Sequence, residues 1–198
     1  MARDLAAALG APLVTSTVSR LLVDLNRSLS NPGVWSELTR PLPPADKQRI
    51  AERHYAPYHQ QVTAIVEDAV ASGHRVIHVS AHSFTPVLNG HVRTADVGLL
   101  YDPARSGEAE LAGFWKAAFA EWAPDLRVRR NYPYAGKGDG LTRSLRRRFP
   151  ASRYVGVELE LNQAFVLGGG KRWQALRASV VATLKLALHR VAALDATS

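Results

Sequence analysis

The chain has 198 residues, enough for one domain with a single substantial core, and its 46% hydrophobic and 21% charged residues exclude a disordered polymer. No apolar run reaches the roughly 18 residues that a membrane helix needs. The opening Met1-Ala2-Arg3-Asp4-Leu5 carries an acid and lacks the apolar core of a secretory leader, and the absence of cysteine rules out disulfides and thiolate metal ligands. The cytoplasm is therefore the expected compartment. The net charge of +8 fits an anionic small substrate, a nucleic acid or simply an arginine-rich surface.

In chain order, Leu5 to Leu9 reads as the tail of a helix, and Leu21 to Leu25 as a short buried strand. Residues 31–44, with four prolines, form a loop. Asp46 to Ser72 has the periodicity of a long amphipathic helix burying Ile50, Val62, Ile65, Val66 and Val70, with Pro57 expected to kink or break it and Gly73 to stop it. Arg75 to Ala81 is a Val- and Ile-rich strand, and Val97 to Tyr101 a second short apolar run. Leu111 to Trp122 is helical, Leu126 to Arg130 a strand, Leu141 to Phe149 a short helix, Tyr154 to Leu161 an alternating strand, and Trp173 to Leu194 a long helix. Neither a repeat nor a linker interrupts this order, so a single domain spanning residues 1–198 is expected. Its alternating helices and strands point to a layered α/β fold with a mixed or mostly parallel sheet.

In such sheets ligands bind beyond the carboxyl ends of the strands. The residues following the apolar runs are Asp24-Leu25-Asn26-Arg27, His82-Ser83-Phe84 and, at the end of the last strand, Glu158, Glu160, Asn162 and Gln163. Period two places His78, Ser80 and His82 on one face of their strand and Glu158 and Glu160 on one face of theirs. A neutral imidazole at His82 could ligate zinc, and a carboxylate at Glu160 could take a proton from water and return it to a leaving amine. A packed histidine and an arginine-paired carboxylate are the structural alternatives. Arg27 and Arg93 offer planar forks for carboxylates, with the Asn26 amide beside the first. Asp24 could orient Arg27 or cap a turn. The cluster Arg143, Arg146, Arg147 and Arg148 reads as a solvated helix face. Gly136-Lys137-Gly138-Asp139-Gly140 lacks phosphate-loop spacing and reads as a flexible flap.

Val79-Ser80-Ala81-His82-Ser83-Phe84-Thr85-Pro86 resembles the central motif of the N-formylglutamate amidohydrolase family. The blocks Ser19 to Arg27, Arg93 to Tyr101, Asn131-Tyr132-Pro133-Tyr134 and Val157 to Gln163 are similar to others of that family and follow its order. The resemblance implies a three-layer sandwich related to zinc carboxypeptidases and aspartoacylase-like enzymes. It implies hydrolysis, within histidine catabolism, of the N-formyl or N-acyl amide of an acidic amino acid, a small anionic substrate. Carried over, Asn26 and Arg27 hold a substrate carboxylate, and Arg93 binds a second carboxylate or the developing oxyanion. His82 is one zinc ligand, and Glu160 activates the water. Neither a membrane nor a nucleic acid is an expected partner.

One departure bears on the metal. The family's early block supplies a His with an acidic or His partner, and a zinc site needs about three protein ligands. No such pattern follows Met1; His54 and His59 are poorly spaced on one helix, and His91 and His189 lie elsewhere. A late start, a fragment, or a member that binds carboxylates without hydrolysing them would each account for this, and the first two together are favoured. The expected fold is accordingly an N-terminally truncated one.

Overall fold

The computed structural model describes residues 1–196. They form two compact units that interleave along the chain: one from Met1–Ala11, Ile77–Lys137 and residues 155–196, the other from Pro12–Val76 and Gly138–Tyr154.

The first unit carries a four-stranded sheet, apart from Val76 and Tyr154, the first residues of two of its strands, which fall in the second unit. The strands are β1 (Val76–Phe84), β4 (Val97–Leu100), β5 (Val128–Arg130) and β6 (Tyr154–Asn162), in the order β1-β6-β4-β5. A separate hairpin is formed by β2 (Val87–Leu88) and β3 (His91–Val92). Strand β4 runs parallel to β5 and antiparallel to β6, so the sheet is mixed as expected. The β4–β6 register sets Gly98 opposite Glu160 and Leu100 opposite Glu158.

Strict alternation gives the sheet two unlike faces. Val155, Val157, Leu159 and Leu161 of β6, Val97 and Leu99 of β4, and Ile77 and Val79 of β1 pack into one apolar cluster. Helices α1 (Ala2–Leu9), α4 (Ser106–Trp122) and α7 (Gly170–Asp195) cover that face. In α7 the buried Leu176, Val180, Leu184, Ala187 and Val191 recur every three or four residues, the spacing of a single helix face. Trp115 of α4 is fully buried there, and its indole N–H donates to the Thr183 hydroxyl at 3.0 Å. Deleting such a ring costs about 3–5 kcal/mol. Alternation sends His78, Ser80, His82, Gly98, Leu100, Glu158, Glu160 and Asn162 to the opposite face.

The second unit is helical. Helix α2 (Pro44–Ile50) passes through a π-helical segment, Ala51–Tyr55, into α3 (Ala56–Ala71). Pro57, in the first turn of α3, lacks the N–H that a continuous α-ladder would use, and the wider turn absorbs the defect without ending the helix. Val62 and Val66 of α3 pack with Leu141 and Leu145 of α5 (Leu141–Arg148), and with Phe149 and Tyr154. The remaining helix, α6 (Gln163–Gly168), belongs to the first unit.

The expected strand at Leu21 to Leu25 is absent: the segment forms turns. Side chains take up its backbone groups where a ladder would have. Ser19 Oγ accepts from Leu21 N–H at 3.2 Å, and Asp24 Oδ1 accepts from Asn26 N–H at 3.0 Å. Such local bonds compete with sheet pairing. The hairpin β2–β3 has an available signal in Asn89-Gly90. Both residues adopt positive φ, 50° and 78°, as a two-residue hairpin turn demands.

Candidate functional site

The polar sheet face of the first unit gathers three of the nominated residues or their immediate supports. Ser80 Oγ and His82 Nε2 lie 2.8 Å apart on β1, with Ser80 buried and His82 half-buried. On the adjacent strand Glu158 and Glu160 are 8% and 6% exposed. Strands sit roughly 4.8 Å apart and same-face neighbours roughly 6–7 Å apart along a strand, so imidazole and carboxylates share one small area. Buried carboxylates are costly unless satisfied, which marks this face as built rather than incidental.

The strand ends are tied together. Asn162, at the end of β6, caps α6 by accepting from Ala164 N–H at 3.0 Å, while its amide donates to Ala95 O at 2.9 Å and to Arg93 O at 3.4 Å. Gln163 donates to Ser83 Oγ at 3.1 Å, beside His82. Arg93 stands at the base of the hairpin, where its N–H donates to Pro86 O at 2.8 Å. Its guanidinium donates to the Tyr134 hydroxyl at 2.9 Å.

The loop bearing Tyr134 is closely fitted. Asn131, at φ 50°, accepts from Tyr101 N–H at 3.0 Å and Gly136 N–H at 3.1 Å, and the Tyr132 hydroxyl accepts from Thr94 N–H at 3.1 Å. The Tyr132–Pro133 peptide is cis. A Cβ on Gly98 would fall 2.1 Å from Tyr132 O and 3.2 Å from Glu160 Cβ, so the glycine admits the loop next to the carboxylate strand. Sequence reasoning missed Tyr132 and Tyr134 as supports; their placement directly after β5 was the available signal.

Asn26 and Arg27 belong to the second unit. Asp24 caps a turn rather than orienting the Arg27 side chain: Oδ1 serves Asn26 N–H, and Oδ2 accepts from Arg20 at 2.8 Å. Asn26 Oδ1 accepts from Leu141 N–H at 3.0 Å, at the N-terminus of α5, and Gly140 has no side chain because a Cβ there would lie 2.8 Å from the same oxygen. Arg27 donates to Asp139 O at 3.3 Å.

Helix α3 fixes this turn from its backbone side. The Tyr55 hydroxyl donates to Arg27 O at 2.8 Å, His59 Nε2 meets Leu25 O at 2.9 Å, and the two rings stack at 4.0 Å. Burial, with the charges of Asp139 and Asp24, pushes Tyr55 up to about 12, so it stays a donor. Burial lowers His59, although the Leu25 carbonyl works against that shift. The segment read as a flexible flap is anchored instead. Asp139 accepts from Ser28 N–H, Ser28 Oγ and the Asn31 amide at 3.0, 3.1 and 2.8 Å, and Gly136 is buried. Burial alone would raise the Asp139 carboxyl, but these bonds and the Arg27 charge hold it below its ordinary value. In the α5 cluster Arg143, Arg147 and Arg148 are exposed, as expected of a solvated face, with Arg148 paired to Glu67, whereas Arg146 is buried.

A mixed α/β sheet with its polar residues collected on one strand-end face defines the class. The N-formylglutamate amidohydrolase family model matches residues 1–167, and the chain belongs to that family. Among solved structures, a gene product of Agrobacterium tumefaciens matches with a TM-score of 0.80 at 30% identity, covering 96% of this chain and 75% of that one. An N-formylglutamate amidohydrolase from Ralstonia eutropha JMP134 matches with a TM-score of 0.64 at 22% identity, covering 88% and 75%, a likeness of fold. No curated protein matches.

Proposed function

We propose that the chain serves hydrolysis of the N-formyl or N-acyl amide bond of an acidic amino acid, with the polar face of the β1–β6–β4 sheet as its working surface. Family membership supports the hydrolase reading, and the buried Glu160 on the same face as His82 carries it further. Glu160 takes the proton of the attacking water and delivers it to the leaving amine, a role for which a carboxylate needs a site shielded from bulk solvent. Arg93 binds an anionic group of the substrate, and Asn26 and Arg27 are carboxylate binders in their own unit. Among the described residues no helix is long and apolar enough to cross a membrane, and the reading places the activity in the cytoplasm.

Zinc is the cofactor this reading implies, with His82 as one ligand. Among the described residues no group of three or more His, Asp or Glu side chains is arranged to hold a metal ion. The residues present do not make that site by themselves. The same observation favours a second reading, carboxylate binding without turnover.

Release of formate from N-formylglutamate by the full chain, with and without added zinc, separates the two. Turnover that falls at least about a hundredfold in Glu160→Gln supports hydrolysis. Turnover unchanged in that variant refutes the assigned role. Thermal stabilisation by N-formylglutamate without formate release, lost in Arg27→Ala, establishes the binding reading instead.

A further inference from the structure

Several arginines of this chain are paired with an acid: Arg20 with Asp24, Arg49 with Asp46, Arg105 with Glu108, Arg127 with Asp96, Arg148 with Glu67, Arg177 with Asp4 and Arg190 with Glu121. Arg93 is held differently. One guanidinium N–H goes to the Tyr134 hydroxyl, and the guanidinium carbon stands 5.0 Å from the Tyr134 ring centroid and 5.9 Å from that of the buried Phe84. Aromatic faces attract a cation without neutralising it. The other donors of the fork meet no acceptor among the described residues.

Both partners are fixed from behind. Arg93 is bonded through its own N–H to Pro86 O and through its carbonyl to the Asn162 amide. Tyr134 stands on the loop that Asn131 and Tyr132 fasten to the rest of the unit. An arginine whose plane is set, whose charge is intact and whose remaining donors are spare is suited to a bidentate carboxylate.

We propose that Tyr134 is a positioning residue for substrate specificity: it holds the Arg93 guanidinium so that the spare fork takes the distal carboxylate of a dianionic N-acyl amino acid. This rests on the function proposed above. It assigns Arg93 to the side chain of the substrate rather than to the developing oxyanion, and it makes Tyr134 the source of discrimination against neutral isosteres.

The test is isothermal titration calorimetry on the full chain, with N-formylglutamate and its neutral isostere N-formylglutamine, for wild type, Tyr134→Phe and Arg93→Ala. Wild type is expected to prefer N-formylglutamate. Tyr134→Phe keeps the ring and the fold but loses one hydrogen bond, and should narrow the preference about three- to tenfold by weakening the glutamate ligand alone. Arg93→Ala should abolish the preference. If Arg93→Ala abolishes it while Tyr134→Phe leaves it intact, the inference is overturned and the functional reading stands. Equal weakening of both ligands in Tyr134→Phe reduces Tyr134 to a packing role and also overturns it. A wild type that binds both ligands alike, or neither, removes the functional reading and the inference with it.

Discussion

The segment ending at Glu160 and the segment ending at Arg27 hold their polar side chains by opposite means. Strand β6 is buried along all nine residues, and its carboxylates are placed by the two-residue period and by the register with β4. The turn from Ser19 to Arg27 has no ladder. Its geometry comes from hydrogen bonds to Asp24, to the stacked Tyr55 and His59, and to Asp139. The lesson is that a strand positions a group through backbone constraint, which many neighbours share, whereas a turn positions it through a few named hydrogen bonds. Disturbing the first should therefore cost more stability per change, and disturbing the second should be graded and chemically specific.

The largest expected effect is on the strand side. Gly98→Ala drives a methyl group against the Tyr132 carbonyl on one side and Glu160 on the other, and neither strand nor loop backbone can move aside cheaply. A loss of about 3 kcal/mol or more is expected by urea denaturation. A loss below about 1 kcal/mol would show that the strand is no stiffer than the turn and would erase the contrast.

Next comes the anchor of the turn. Asp139→Ala leaves Ser28 N–H, Ser28 Oγ and the Asn31 amide without their shared acceptor, for an expected loss of about 2–3 kcal/mol. The carboxyl is held below its ordinary value in the folded chain, so its contribution is present above that ordinary value and disappears as the pH falls through the lower folded one. Wild type and Asp139→Ala should therefore converge in stability under acid. Parallel curves down to pH 3 would place the contribution elsewhere.

A smaller effect separates two substitutions at one nominated residue. Asn26→Ala removes the acceptor for Leu141 N–H at the start of α5 and should cost about 1 kcal/mol. Asn26→Asp keeps the oxygen and adds a negative charge at a helix N-terminus, which the helix dipole favours, so it should recover much of that loss. If the two variants are equally unstable, the cap is not what Asn26 contributes, and the comparison loses its best example of a chemically specific hold.

The same contrast governs how much of the fold and of the site is legible in the sequence. Glu158 and Glu160 announced themselves because alternation between Val155 and Asn162 is a long pattern that only a strand satisfies. Leu21 to Leu25 is five residues long, a length at which an apolar run is equally a turn packed on a helix. The deciding information lay in Ser19 and Asp24, whose side chains capture backbone N–H groups. Tyr134 was legible as part of a block but not as the partner of Arg93. Forty-one residues separate the two, and only the fold closes that distance. Glu108 was similarly silent. It sits fully buried in α4, accepting from Asp102 N–H and Gly156 N–H, with nothing in the local sequence to distinguish it from a surface glutamate.

The smallest and most diagnostic effect concerns His59. Its ring is stacked on Tyr55 with Tyr58 at its edge, and it meets the Leu25 carbonyl through Nε2. Burial lowers its proton affinity in the folded chain below the ordinary 6.5, so between 6.5 and the lower folded value the unfolded chain binds the extra proton. Stability must then fall as the pH drops below 6.5 and level off once the folded form is also protonated. His59→Phe keeps a stacked ring but removes both the titration and the bond to Leu25. The variant should be less stable than wild type at pH 7.5 and should show a flatter decline between pH 7 and 5. A decline of the same slope in the variant would mean that His59 exchanges its proton as freely when folded as when unfolded, and its burial against Tyr55 would then contribute nothing to the pH dependence of the turn.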